Sequence, residues 1–100
     1  MSSEPGRAVV LYRRGPRWDV TQPLGAQEGV QEHIAYLASL HAERLVERAG
    51  PFHAIGEHVE HELVGLVVNV GGVGAARERA LRDPAVRAGL LEFDALAWHA

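Results

Sequence analysis

Cysteine is absent from the 100-residue chain, and so is lysine: all ten basic side chains are arginine. Without thiols there is no disulfide framework and no thiolate metal site, and a reducing compartment is compatible. The missing lysine reads as the coding bias of a GC-rich bacterium rather than a functional signal. A basic excess is missing too. Ten arginines face 13 Asp and Glu, for a formal net charge of −3, whereas a protein that grips a phosphate backbone usually carries surplus positive charge. Nor is there a long hydrophobic run. The most apolar stretch, Leu63 to Ala76, holds Asn69 and four glycines and falls short of the roughly 20 residues that span a bilayer. The opening MSSEPGRAVV lacks an apolar signal core, so the expected location is the cytoplasm.

What is present is the composition of a folded protein, 47% hydrophobic and 23% charged. The length suffices for one compact domain with a small core. Residues 1–6 are expected to form a disordered N-terminus and 7–100 a single domain. RAVVLYR (Arg7 to Arg13) is short, β-branched and bounded by turn residues, hence a strand. GPRWDVTQPLGAQ is a loop. From Glu28 the spacing turns helical, with a stripe of Val30, Ile34, Leu37 and Leu45 widened by Tyr36 and Leu40. Periodicity alone carries this helix to Ala49, where Gly50-Pro51 stops it. GPFHAIGE is extended, EHVEHE a polar connection, and LVGLVVNV a strand. Val73 to Arg82 is a second helix, DPAVRAG a break with a short turn, and LLEFDALAW a closing strand with Leu91, Phe93, Ala95 and Ala97 on one face.

This order is the ferredoxin-like βαββαβ pattern of the α+β class. Right-handed crossovers place both helices on one face of a four-stranded antiparallel sheet, with the first and third strands central. In LVGLVV both alternating sets are apolar, yet two helices cover only one face. The other face would expose roughly several hundred Å2 of apolar surface. A second copy related by a two-fold axis covers it most simply, so a homodimer with two sheets face to face is expected.

VVNVGGVGAARERAL invites a nucleotide-binding interpretation. Gly72 and Gly74 fit a dinucleotide fingerprint, but Arg77 stands where the third glycine belongs, and no room remains for a doubly wound sheet. No Gly-Lys-Ser/Thr follows, so it is not a phosphate loop. The glycines then simply ease a strand into a helix. His58, His61, Glu57, Glu60 and Glu62 crowd EHVEHE but lack a distant partner, which favours a solvated tip over zinc. YRRGPRW, with Arg13, Arg14 and Arg17 beside Tyr12 and Trp18, suits RNA. The third strand, however, carries none of the exposed aromatics of RNA-recognition modules, and no nucleic-acid partner is expected.

EHIAYLASLHAERLVERAGPF and RDPAVRAGLLEFDALAW together resemble the YciI-like (YCII-related) family, through His33, Tyr36, Leu40, Gly50 and Pro51, then Asp83, Pro84, Arg87, Ala88, Gly89, Leu90 and Trp98. RRGPRWD resembles the early loop of some members, and Gly56 to Arg77 matches only in pattern. The resemblance implies a dimeric α+β barrel. It also implies that the first helix ends near Arg44, where the family has glycine, and that LVERAGPFHAI is mostly strand. Arg44 then adopts a helix-end conformation that costs it more than glycine. We prefer this shorter helix.

The family's proposed acid–base pair falls on His33 and Asp83. A carboxylate that accepts the imidazole Nδ1–H fixes the tautomer and stabilises the imidazolium formed when Nε2 takes a proton. The implied chemistry is proton abstraction: elimination, dehydrohalogenation or isomerisation of small ring compounds, with no metal or organic cofactor. Arg14, Tyr36 and Pro51 are the candidate substrate-binding residues, Arg14 toward an anionic group. A plainer interpretation stands beside this one. His33 packs on a helix face, Asp83 caps a following helical turn with Pro84 in its first position, and the protein is a ligand-binding or accessory module without chemistry. If the pair is catalytic, His33→Ala and Asp83→Asn are expected to abolish turnover and leave thermal stability nearly unchanged.

Overall fold

The computed structural model describes residues 6–52 and 63–99. β1 (Arg7–Arg14) leads through a loop with one 3-10 turn (Leu24–Ala26) into α1 (Val30–Ala42) and β2 (Val46–Pro51); β3 (Leu63–Val70), α2 (Val73–Leu81), α3 (Pro84–Arg87) and β4 (Leu91–Trp98) follow. The strands form one antiparallel sheet in the order β2-β3-β1-β4, so the first and third strands are central, as their apolar character requires. This is the ferredoxin-like α+β fold. The DPAVRAG turn contains the four-residue helix α3.

Alternation along β1 sorts the two faces. Ala8, Val10 and Tyr12 point under the helices and are buried, while Arg7, Val9, Leu11 and Arg13 point to the open side. The ladders align Ala8, Val10 and Tyr12 with Asn69, Val67 and Gly65 of β3 and with Ala97, Ala95 and Phe93 of β4. α2 packs over β1 and β4 through Ala76 and Ala80, whose small side chains allow close approach. α1 lies against β2 and α3. Its inward residues are Val30, His33, Tyr36, Leu37 and Leu40. Ile34, placed on the apolar stripe by periodicity, is instead about half exposed, and His33 holds the inward position beside it.

The end of α1 decides between the two helix lengths. Arg44 has φ 64°, donates its N–H to the His41 carbonyl at 3.0 Å, and is followed by Leu45 donating to the Leu40 carbonyl at 2.9 Å. Those two bonds define a Schellman motif, which satisfies the last carbonyls and turns the chain into β2. The periodicity that runs to Ala49 fails because Leu45 does not continue the helical stripe. It folds back from beyond the helix end to join the cluster containing Leu40. α3 closes in the same way, with Gly89 (φ 83°) donating to Val86 and Leu90 to Ala85. The glycine-rich turn before α2 uses Gly71 at φ 97° and Gly72 as an extended N-cap, as a strand-to-helix turn needs.

The open face carries the partly buried Val9, Leu11, Leu66, Val68 and Val70, and beside them Leu96 and Trp98, which are about half exposed. Ion pairs fence it: Arg7 with Glu47 at 2.6 Å, and Arg13 with Asp94 at 3.0 Å and Glu92 at 3.5 Å. Among the described residues no helix is long and apolar enough to cross a membrane. EHVEHE and His53 lie outside the described residues, as does the N-terminal segment before Gly6.

Candidate functional site

Asp83 occupies the joint between α2 and α3. The proline after it disfavours helical backbone, and Asp83 is extended (φ −61°, ψ 126°). Its Oδ1 accepts the Ala85 N–H at 2.9 Å, capping α3 with Pro84 in the first helical position, as the plainer interpretation expects. The carboxylate does more than cap. It is fully buried, and its other oxygen, Oδ2, accepts two further bonds: from His33 Nδ1 at 2.6 Å and from the Tyr12 hydroxyl at 3.1 Å. A buried carboxylate needs such donors, because losing its hydration is otherwise prohibitive.

α1 delivers His33 from its first turns, where the backbone N–H reaches the Gly29 carbonyl at 3.3 Å. The side chain is 12% exposed. With Nδ1–H committed to the carboxylate, the neutral ring carries its lone pair on Nε2, which has no hydrogen-bond partner among the described residues. The imidazole is thus held in the tautomer that can accept a proton at Nε2, and Asp83 stands ready to stabilise the resulting cation.

Tyr12 completes the cluster from β1. Its ring meets the His33 ring edge-on, with centroids 5.1 Å apart and planes at 82°. Burial, and then the neighbouring Asp83 charge, raises its phenol pKa well above the ordinary tyrosine range. In the sequence, Tyr12 stands out only beside the loop arginines. The signal that it belongs here is its phase: it shares the inward set of β1 with Ala8 and Val10.

The remaining candidates are placed less centrally. Tyr36 lies close enough to feel Asp83: burial first and then that charge raise its pKa. Its O–H, however, donates to the Arg79 carbonyl at 2.7 Å. Arg14 follows Tyr12 on the same face of β1, is exposed, and stacks over Trp18 at 5.2 Å. Pro51 ends β2, exposed, in one transverse row with Gly65 and Tyr12. Neither Arg14 nor Pro51 shares a hydrogen bond or ion pair with His33 or Asp83. Arg79 Nη1 donates to the Leu45 and Val70 carbonyls and to Asn69 Oδ1, tying the start of β2 to the end of β3. A groove of about 780 Å3 lined by His41, Arg44, Arg48, Val68, Val70 and Trp98 extends from the end of α1 and β2 over the open face toward β4, away from the cluster. Among the described residues no three His, Asp or Glu side chains converge as metal ligands do, and His58 and His61 lie outside them.

The cluster can therefore hold a proton at one defined nitrogen and spread the resulting charge over a buried carboxylate. No family model matches the chain, and no curated protein matches it in sequence. Among solved structures it is similar to the 5-chloro-2-hydroxyhydroquinone dehydrochlorinase of Burkholderia phenoliruptrix AC1100, in complex with 2,5-dihydroxybenzoquinone. The TM-score is 0.57 over 92% of this chain and 93% of that one, at 18% sequence identity. At that identity the likeness establishes the fold, the same α+β arrangement read from the strand order.

Proposed function

We propose that this chain is a YciI-like enzyme of small-molecule proton abstraction, with His33 as general base and Asp83 as its orienting partner. The observation that carries this reading is the 2.6 Å bond from His33 Nδ1 to a fully buried carboxylate, with Nε2 unpartnered among the described residues. Nε2 takes a proton from a carbon or hydroxyl of a small ring compound. The electron pair released forms a new double bond, and in an elimination the leaving group departs with the electrons of its own bond. The same imidazolium then returns its proton to solvent or, in an isomerisation, to another atom of the substrate. The scheme calls on no metal or organic cofactor. The solved dehydrochlorinase of similar fold supports it, since its name describes an elimination. Arg14, Tyr36 and Pro51 line the substrate's surroundings in this proposal, Arg14 toward an anionic group.

The open sheet face supports a homodimer: an apolar field with half-exposed Leu96 and Trp98 at its edge is what a second copy would cover. The protein then acts as a face-to-face pair in the cytoplasm, without nucleic acid or membrane.

The test is turnover of a panel of chlorinated hydroquinones, lactones and enols. His33→Ala and Asp83→Asn should each lower kcat by at least about 100-fold. Unchanged turnover in His33→Ala would overturn the assignment. A second reading, a ligand-binding module without chemistry, draws on the capping bond of Asp83. It predicts that panel compounds bind, and still bind to His33→Ala, but are recovered unaltered.

A further inference from the structure

We infer that Tyr12 is a positioning residue of the His33–Asp83 pair, whose hydroxyl moderates how strongly the carboxylate holds a proton on the imidazole. The inference rests on the reading of His33 as the base, but its test does not require a substrate.

The geometry that carries it is the sharing of one oxygen. Asp83 Oδ2 accepts both the His33 Nδ1–H, at 2.6 Å, and the Tyr12 O–H, at 3.1 Å, while Oδ1 is occupied by the Ala85 N–H. Each donor draws on the same negative charge. With both bonds present, the carboxylate's attraction for the imidazolium is divided. With the hydroxyl gone, Asp83 is still buried and has only His33 on that oxygen, so the charged imidazole becomes more favourable. Tyr12 also fixes the ring mechanically, since its edge-on contact and the Nδ1 bond together define the plane of the imidazole and the direction of Nε2.

The other ionisable groups around the pair do not duplicate this role. From α1, Tyr36 senses Asp83 but spends its O–H on the Arg79 carbonyl. From α2 Arg79, and from just beyond its end Arg82, act on Tyr36, as Glu43 does from beyond the end of α1. β4 sets Phe93, which has no charge, next to Tyr12. Only Tyr12 among these side chains joins His33 on Asp83.

The experiment is an NMR titration of the His33 ring in the intact protein and in Tyr12→Phe, which keeps the ring and its packing but removes the hydroxyl. The His33 midpoint should move upward by about half a pH unit or more, a fraction of the roughly one to two units that a whole hydrogen bond to a charged group converts to, because the bond is lost by the shared carboxylate and not by the imidazole itself. An unmoved or lowered midpoint would overturn the inference. A second measurement covers the case in which Tyr12→Phe does not fold. The chain has two tyrosines, so 13Cζ-tyrosine labelling of the unmodified protein yields two ring signals. The Tyr12 signal should shift with the same midpoint as His33, and a flat Tyr12 signal through that midpoint would also overturn it. If the titrations succeed while His33→Ala leaves turnover intact, the coupling stands and the proposal of His33 as base fails. If His33→Ala abolishes turnover while the titrations fail, only the role of Tyr12 is lost.

Discussion

Asp83 has two duties, and substitutions separate them. Asp83→Ala removes the acceptor for Ala85 N–H, Tyr12 O–H and His33 Nδ1–H together. Losing a cap and stranding buried donors should cost about 2–4 kcal/mol, read as a lowered urea midpoint. Asp83→Asn keeps an oxygen for the cap and should cost less, about 1–2 kcal/mol. It turns an amide N–H toward Nδ1, which favours the opposite tautomer and leaves Nε2 protonated, so turnover falls while most of the fold survives. The expectation that Asp83→Asn leaves stability nearly unchanged therefore does not hold for a fully buried, triply bonded carboxylate. Tyr12 yields a prediction in alkali. Burial and the Asp83 charge raise its pKa above the ordinary 10.0. The folded protein thus keeps a proton that the unfolded chain releases. Stability is intact below about pH 10 and falls as pH rises beyond it, by about 1.4 kcal/mol per unit. Tyr12→Phe should flatten this fall in urea midpoints measured through pH 9 to about 11, leaving only the contribution of Tyr36, whose pKa is raised in the same direction.

Among the elements, the end of α1 is the most instructive. Arg44 is the one non-glycine residue with positive φ among the described residues, and left-handed backbone costs an L-residue about 1–2 kcal/mol. Arg44→Gly relieves that strain at some cost in chain entropy, so it should raise stability by up to about 1 kcal/mol in a urea titration. Arg44→Val, β-branched, should lower it. The loop before α1 is held differently. Gly15 donates its N–H to the Leu90 carbonyl at 2.8 Å, and a Cβ there would collide with the Gly89 carbonyl. This contact seats the early loop on the α3–β4 turn, close to where Asp83 is capped. A residue-by-residue propensity shows neither feature, because both depend on what the next element does.

For the whole molecule, the decisive quantity is the apolar surface left by a one-sided helical cover. If the open face pairs with a second copy, Leu96→Arg places a charge within that interface and should yield a folded monomer. Light scattering coupled to size exclusion reads the mass, and circular dichroism checks the fold. A monomeric parent protein would remove the dimer from the proposal while leaving the His33 cluster as it is. The strand order and the central places of β1 and β3 were legible beforehand, because hydrophobic alternation and element order restrict a 100-residue chain to few topologies.

The chain by itself determined the class of fold, the two apolar faces of the sheet, and the absence of thiol chemistry, because these follow from periodicity and composition, which are local. Resemblance singled out His33 and Asp83, 50 positions apart. Only the tertiary structure decided that they meet at 2.6 Å, that the carboxylate is wholly buried, and that Tyr12 shares its oxygen. Three segments distant in sequence must converge for that to happen, and the phase of β1 says that Tyr12 points inward but not what waits there. The physical reason is the burial of a charge: it is tolerable only when every donor arrives together, and that condition belongs to the packed molecule.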